Sequence, residues 1–299
     1  MDFSVFQFEL VAKDELRLPY YKGSAFRGLF GHALKRTVCV TNMTRCEECL
    51  LRENCAYAYI FETLNERNEH VAHPFVLEPP LLERRIFPPG DVLKVNLILF
   101  GRAIDYIPYL VYTFREMGRR GIGSGRGKFW LQRVTKDGRI IYDFQEQLLH
   151  TDFAKDDLFA IQSTTDKIEG VKVRFLTPTA VKVKGKISPA IDFITVLKAV
   201  SRRLRALSVY HNGKSPSYSS IDFKSAQSIT VKNTSFTPFH WKRYSNRQQQ
   251  KIDFSGFVGA MELEGELAPF MPLLRMGEII HIGRGTVYGM GKYVVEEIR

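Results

Sequence analysis

Residues Phe3–Ala12 alternate apolar and polar side chains, the period-2 signature of a strand with one face on a core. From Ala25 to Val40 the period changes to that of a helix. Phe26, Leu29, Phe30, Ala33, Thr37 and Val38 fall on one face at 100° per residue, and Gly28, His32, Lys35, Arg36 and Cys39 on the other. Ser24 stands where an N-cap is expected. Tyr57–Leu64 reads as a short helix, Val71–Leu77 and Val92–Phe100 as strands, Tyr106–Met117 as a second helix and Lys128–Val134 as a strand. Residues 135–168 add a hairpin and a polar linker, and then the order restarts. Val171–Phe175 is the strand and Pro189–Tyr210 the long helix. Phe239–Arg243 and Phe254–Leu263 are strands, Leu267–Met276 is a short helix, and a closing strand ends the chain.

The order β-α-β-β-α-β, met twice, predicts an α+β chain of two tandem ferredoxin-like (RRM-like) domains. Their expected spans are 1–145 and 168–299, with a small cysteine-rich insertion over about 39–60. A glycine loop closes each half. Gly121-Ile-Gly-Ser-Gly-Arg-Gly-Lys-Phe-Trp matches His281-Ile-Gly-Arg-Gly-Thr-Val-Tyr-Gly-Met-Gly-Lys-Tyr in form. Gly125, Gly127 and Lys128 map onto Gly289, Gly291 and Lys292 at a constant offset of 164 residues. A dinucleotide fingerprint is excluded, because that motif opens a helix and only eight residues follow Gly291.

Charge turns this pattern toward a polyanion. The 43 Lys and Arg against 32 Asp and Glu give a formal net charge of +11, which favours nucleic acid first and a membrane surface second. No apolar run approaches the ~20 residues of a membrane span. The opening Met-Asp-Phe-Ser-Val-Phe has no signal-peptide character. A cytoplasmic chain without membrane partners is expected, as a monomer or a homodimer.

All four cysteines lie within seventeen residues, at Cys39, Cys46, Cys49 and Cys55. Without an export signal disulfides are disfavoured. Four thiolates suit tetrahedral zinc or an iron–sulfur cluster, and the alternative is no metal at all. A four-cysteine site would be closed, hence a structural staple outside the reaction.

His32, Lys35 and Arg36 stand at i, i+3 and i+4 on the polar face of the first predicted helix. That spacing puts a general base beside two groups able to stabilise a pentacoordinate phosphate. An exposed helical histidine among basic neighbours is the plainer alternative. Tyr20 and Tyr21 can add a phenol, and His281 is the reserve base. The basic runs Arg84-Arg85, Arg119-Arg120 with Arg126 and Lys128, Arg202-Arg203 with Arg205, and Trp241-Lys-Arg243-Tyr-Ser-Asn-Arg247 interleave in two places with aromatics. With Arg284 and Lys292 of the last glycine loop they are phosphate candidates. Taken singly each run reads as a solvated face, but together they point to RNA or single-stranded DNA.

Gly23-Ser-Ala-Phe-Arg27-Gly-Leu-Phe-Gly-His-Ala-Leu, Phe175-Leu-Thr-Pro-Thr, Arg243-Tyr-Ser-Asn-Arg-Gln with Gly256-Phe-Val-Gly, and the terminal glycine loop resemble one family. It is the CRISPR repeat-RNA processing endoribonucleases of the RAMP superfamily, the "Cas six" family. The resemblance implies two ferredoxin-like domains and CRISPR precursor RNA as partner. The implied reaction is a cut within each repeat, needing no cofactor, that leaves a 2′,3′-cyclic phosphate and a 5′-OH. It implies His32 as base with Lys35 and Tyr20 or Tyr21, and Arg27 and Arg36 among the RNA contacts. Related RAMP proteins are non-catalytic subunits of CRISPR effector complexes, and such a complex is the alternative setting.

Overall fold

The computed structural model describes residues 1–43, 45–65, 69, 71–161, 167–212, 223–245 and 250–298. The chain divides into two compact units. One is Met1–Asp156 with Tyr210–Asn212, and the other is Asp157–Val209 with Gly213–Arg299.

In the first unit, β1 (Asp2–Ala12), α1 (Gly23–Val38), β2 (Phe75–Glu78), β3 (Val92–Phe100), α2 (Ile107–Arg120), β4 (Phe129–Lys136) and β5 (Arg139–Asp143) follow in order. Their strands lie in the sheet order β2-β3-β1-β4-β5, each neighbour antiparallel. Phe6, Phe8 and Leu10 of β1 are buried, alternating with partly exposed Val5, Gln7 and Glu9. The apolar face of the sheet is therefore fixed by the pleat. Phe26, Phe30, Ala33 and Leu34 of α1 and Leu110, Phe114 and Met117 of α2 cover it. Phe8 stacks on Phe114 at 4.0 Å, and Phe30 lies 5.5 Å from Phe75 and 5.9 Å from Phe114.

In the second unit β6 (Gly170–Thr179), α3 (Phe193–His211), β7 (Thr230–Thr234), β8 (Gly256–Glu264), α4 (Met271–Ile280) and β9 (Tyr293–Glu297) repeat the scheme. The sheet order is β7-β8-β6-β9, again antiparallel throughout. Phe175 of β6 packs between Phe257 at 5.2 Å and Tyr293 at 5.8 Å. No described helix is long and apolar enough to cross a membrane.

Several boundaries differ from the sequence expectation, each for a local reason. α1 starts at Gly23, so Ser24 lies inside the first turn, and Lys22 holds the cap position without a side-chain cap. Tyr57–Leu64 yields one wide helical turn, Ala58–Glu62, closed by Thr63 at φ 47°. The strand expected from Val71 begins at Phe75, because the Val71 N–H instead bonds the Thr63 carbonyl. α4 lies four residues later than expected, with a proline in its first turn, where the missing N–H costs nothing. β7 was not foreseen. All five of its residues are exposed, so no alternation marks it, and backbone pairing to β8 alone defines it.

Candidate functional site

α1 separates its residues as the 3.6 period requires. His32 and Arg36 are exposed, while Lys35 and Arg27 are half-buried. The Lys35 ammonium donates to the Met43 carbonyl at 2.9 Å and lies 5.5 Å from the Tyr57 ring centre. It thus leans toward the cysteine-rich segment. The Arg27 guanidinium lies over the Phe61 ring, 4.0 Å from its centre, a cation–π contact. Ahead of the helix the two tyrosines part company. Tyr20 is 58% exposed, whereas Tyr21 is buried at 7% and belongs to the core. Of the pair, Tyr20 is the accessible phenol.

Lys22 stands between them and α1, and the sequence reading missed it. It is 1% exposed, and its ammonium donates to the carbonyls of Leu82 and, at 3.2 Å, Tyr20. Burial, and then the charge of Arg85, hold its pKa below the ordinary lysine value. The only sequence clue was a cation where helix N-termini prefer an acid. Between its lowered folded pKa and the unfolded value, the unfolded chain binds the extra proton. Stability attributable to Lys22 therefore rises with pH across that window. The stability gap between the wild type and Lys22→Met, followed by denaturant unfolding from neutral pH to pH ~10, is expected to shift in favour of the wild type. A gap independent of pH contradicts this.

The two glycine loops share a hydrogen-bond plan. Ile122 N–H bonds Gly127 O at 2.8 Å, and Ile282 N–H bonds Gly291 O at 3.1 Å. Each loop follows a helix whose C-cap has positive φ, Gly121 after α2 (φ 79°) and His281 after α4 (φ 59°, ψ 169°). His281 thus occupies a backbone conformation that is ordinarily glycine's. The reserve base of the sequence reading is fully buried. Its Nδ1–H donates to the Met290 carbonyl at 3.1 Å, so it braces the loop from inside. Buried Thr177 clamps the same loop, donating to Gly289 O at 2.8 Å and accepting from the Lys292 N–H at 2.9 Å.

On the two main sheets several cations are paired with carboxylates. Glu9 lies 3.1 Å from Lys94 and 3.7 Å from Arg133, and the pairs Lys172–Glu262, Arg174–Glu296 and Lys232–Glu264 are each 2.8 Å. Arg36, Arg126, Lys128, Arg202 and Arg284 are exposed, with no carboxylate partner among the described residues. Part of the surplus charge of the chain is therefore carried, unpaired, on α1, α3 and the glycine loops. Lys292 is half-buried. Arg203 turns inward instead, its Nε donating to the Ile280 carbonyl at 2.6 Å, and burial lowers its pKa to about 10. Arg243 lies on the strand Lys242–Ser245, paired with Gln250–Asp253, and Arg247 lies outside the described residues.

The four cysteines, all half-buried and free, line one cavity of about 400 Å³. Among the described residues no three Cys, His, Asp or Glu side chains form a group that could hold a metal ion. Their surroundings differ. Cys39 caps α1, Cys46 and Cys49 bracket one 3-10 turn, and Cys55 ends the next. Burial raises the Cys46 pKa. Hydrogen bonds from the Thr41 hydroxyl, 3.5 Å from its sulfur, and from the Leu51 N–H lower that of Cys49.

Comparison with known proteins agrees with this architecture. Residues 1–153 match the family model AF_1859_N, N-terminal domain, and residues 173–293 match that of CRISPR-associated endoribonuclease Cas6. An uncharacterized protein of Archaeoglobus fulgidus is 24% identical over 287 residues, covering 93% of this chain and 92% of its own. A Thermus thermophilus Cas6 product complex superposes with TM-score 0.57 at 18% identity over 99% of this chain and 100% of that one. A partial Cas6-RT-Cas1–Cas2 complex gives TM-score 0.62 at 12% identity, over 99% of this chain and 46% of that one. The match of residues 173–293 to the Cas6 model, with the superposition on Cas6 structures over nearly the whole chain, marks a resemblance to the CRISPR-associated Cas6 endoribonucleases of the RAMP fold.

Proposed function

We propose that this chain cuts CRISPR precursor RNA within each repeat, without metal, using two ferredoxin-like domains to hold the strand. The observation that carries the reading is an exposed His32 on α1, one turn before exposed Arg36, in a chain whose residues 173–293 match the Cas6 family model and which presents unpaired cations on α1, α3 and the glycine loops. His32 takes the proton of the ribose 2′-OH, and the oxygen attacks the adjacent phosphorus. The P–O5′ bond breaks, and the leaving oxygen takes a proton from Tyr20, the exposed phenol beside α1. A 2′,3′-cyclic phosphate and a 5′-OH result. Arg36, with Lys35 once its ammonium exchanges the Met43 carbonyl for the phosphate, stabilises the charge that builds up on the pentacoordinate centre.

Arg27, Arg126, Lys128, Arg202, Arg284 and Lys292 serve as RNA contacts in this reading. Such contacts supply affinity and make it depend on salt. Cleavage of repeat RNA once per repeat in excess chelator supports the proposal. Binding without any cut leaves the chain an RNA-binding subunit of a CRISPR effector complex.

A further inference from the structure

The first unit contains a second cavity, about 540 Å³, whose lining includes only Lys128 of the RNA contacts named above. Its volume lies in the range of small-molecule sites. Lys13, Arg119, Lys128, Trp130 and Phe144 are among the residues that line it. Trp130 is 39% exposed and Phe144 45% exposed, large apolar rings that burial would ordinarily claim. Two structural facts keep them open. β5 pairs with β4 only over Arg133–Lys136, and the chain then continues with Phe144 N–H on Gln132 O at 2.8 Å. The outer edge of β4 around Trp130 therefore has no strand partner among the described residues. On the other side Trp130 is opposite Val11 of β1, which fixes its ring away from the helices that cover Phe8 and Leu10.

The charges around this opening are unbalanced. Lys13 and Lys128 lie side by side, tied by the Lys13 N–H to the Lys128 carbonyl at 2.9 Å, and neither ammonium has a carboxylate partner among the described residues. Arg119 pairs with Glu116. The nearby carboxylate of Asp14 accepts the backbone N–H of Lys128 at 3.0 Å. No acidic side chain lines the cavity.

Aromatic faces beside unpaired ammonium groups match the chemistry of a nucleotide in single-stranded RNA, whose base stacks while its phosphate pairs. We infer that this cavity is a nucleotide-binding subsite in which Trp130 and Phe144 stack a base, and Lys13 and Lys128 hold the flanking phosphates. The inference rests on reading the chain as an RNA-processing protein, but it concerns binding, not cutting.

The chain has two tryptophans, Trp130 and Trp241. In a Trp241→Phe background the fluorescence is therefore Trp130's alone. Titration with an oligouridylate of roughly 10 nucleotides, a length such grooves accommodate, is expected to quench it saturably. Adding Trp130→Ala is expected to weaken the same oligonucleotide, followed by anisotropy, roughly tenfold to a hundredfold without changing the salt dependence. Trp130→Phe is expected to retain most of the affinity, and Lys128→Ala to flatten the salt slope by about 0.7. Binding with no quench, equal affinity for Trp130→Ala, or the same quench with heparin, which has phosphate-like charge and no bases, would each overturn the subsite. A wild type that binds but never cuts refutes the nuclease reading and leaves the subsite standing. Normal cutting with an unquenched Trp130 does the reverse.

Discussion

His32→Ala is expected to slow repeat cleavage by about 10²–10⁴-fold, the ordinary worth of a positioned general base, while repeat affinity changes little. His32 is the α1 histidine, exposed on the face opposite Phe26, Phe30 and Ala33, which anchor the helix in the core. Its removal therefore takes away a proton acceptor without opening a cavity or breaking a structural hydrogen bond. His281 cannot replace it from the solvent side, because it is fully buried and its Nδ1–H is committed to Met290. Single-turnover cleavage beside filter binding separates the two effects. An unchanged rate would remove His32 from the mechanism and leave Tyr20 as the accessible candidate.

Gly291→Ala is expected to destabilise the second unit by about 2–5 kcal/mol, summing left-handed backbone strain and overpacking. A Cβ built at Gly291 would lie 1.8 Å from the Ile282 carbonyl oxygen, and φ is 73°. The clash falls on backbone, so no side chain can swing aside. Relief requires breaking the Ile282 N–H to Gly291 O bond that closes the loop, or the Gly291 N–H to Pro178 O bond at 3.0 Å that docks it on β6. Gly125→Ala is the matched control. Its φ is 89°, but nothing lies within 4 Å of the added carbon, so only the strain of roughly 1–2 kcal/mol applies. Equal midpoints for the two variants in thermal unfolding would contradict the packing argument.

Much of this fold was legible because it depends on periodicity. Phe6, Phe8 and Leu10 alternate in sequence and are buried alternately in β1. Phe26, Phe30 and Ala33 share a helix face, and they are buried together. The repeat was legible from its glycines, which, Gly127 excepted, stand where the backbone turns through positive φ. Harder to read were features set by contacts distant in sequence. β7 has five exposed residues and exists through its pairing with β8. Lys22 became a buried cation through the carbonyl of Leu82, sixty residues on. His281 looked like a reactive group because its type is reactive, yet it stands where the first half has Gly121, and that structural match places it in the core. Trp130 and Phe144 come together only because β5 leaves the edge of β4. The four cysteines line one cavity, but spacing alone could not say that burial raises the Cys46 pKa while hydrogen bonds lower that of Cys49.

The most direct test of the central claim is the chemistry of the new ends. Repeat RNA incubated with the purified protein in excess EDTA is expected to yield one cut per repeat, with a 2′,3′-cyclic phosphate upstream and a 5′-OH downstream. A 5′-phosphate product, or cleavage that requires added divalent metal, would contradict attack by the ribose 2′-OH.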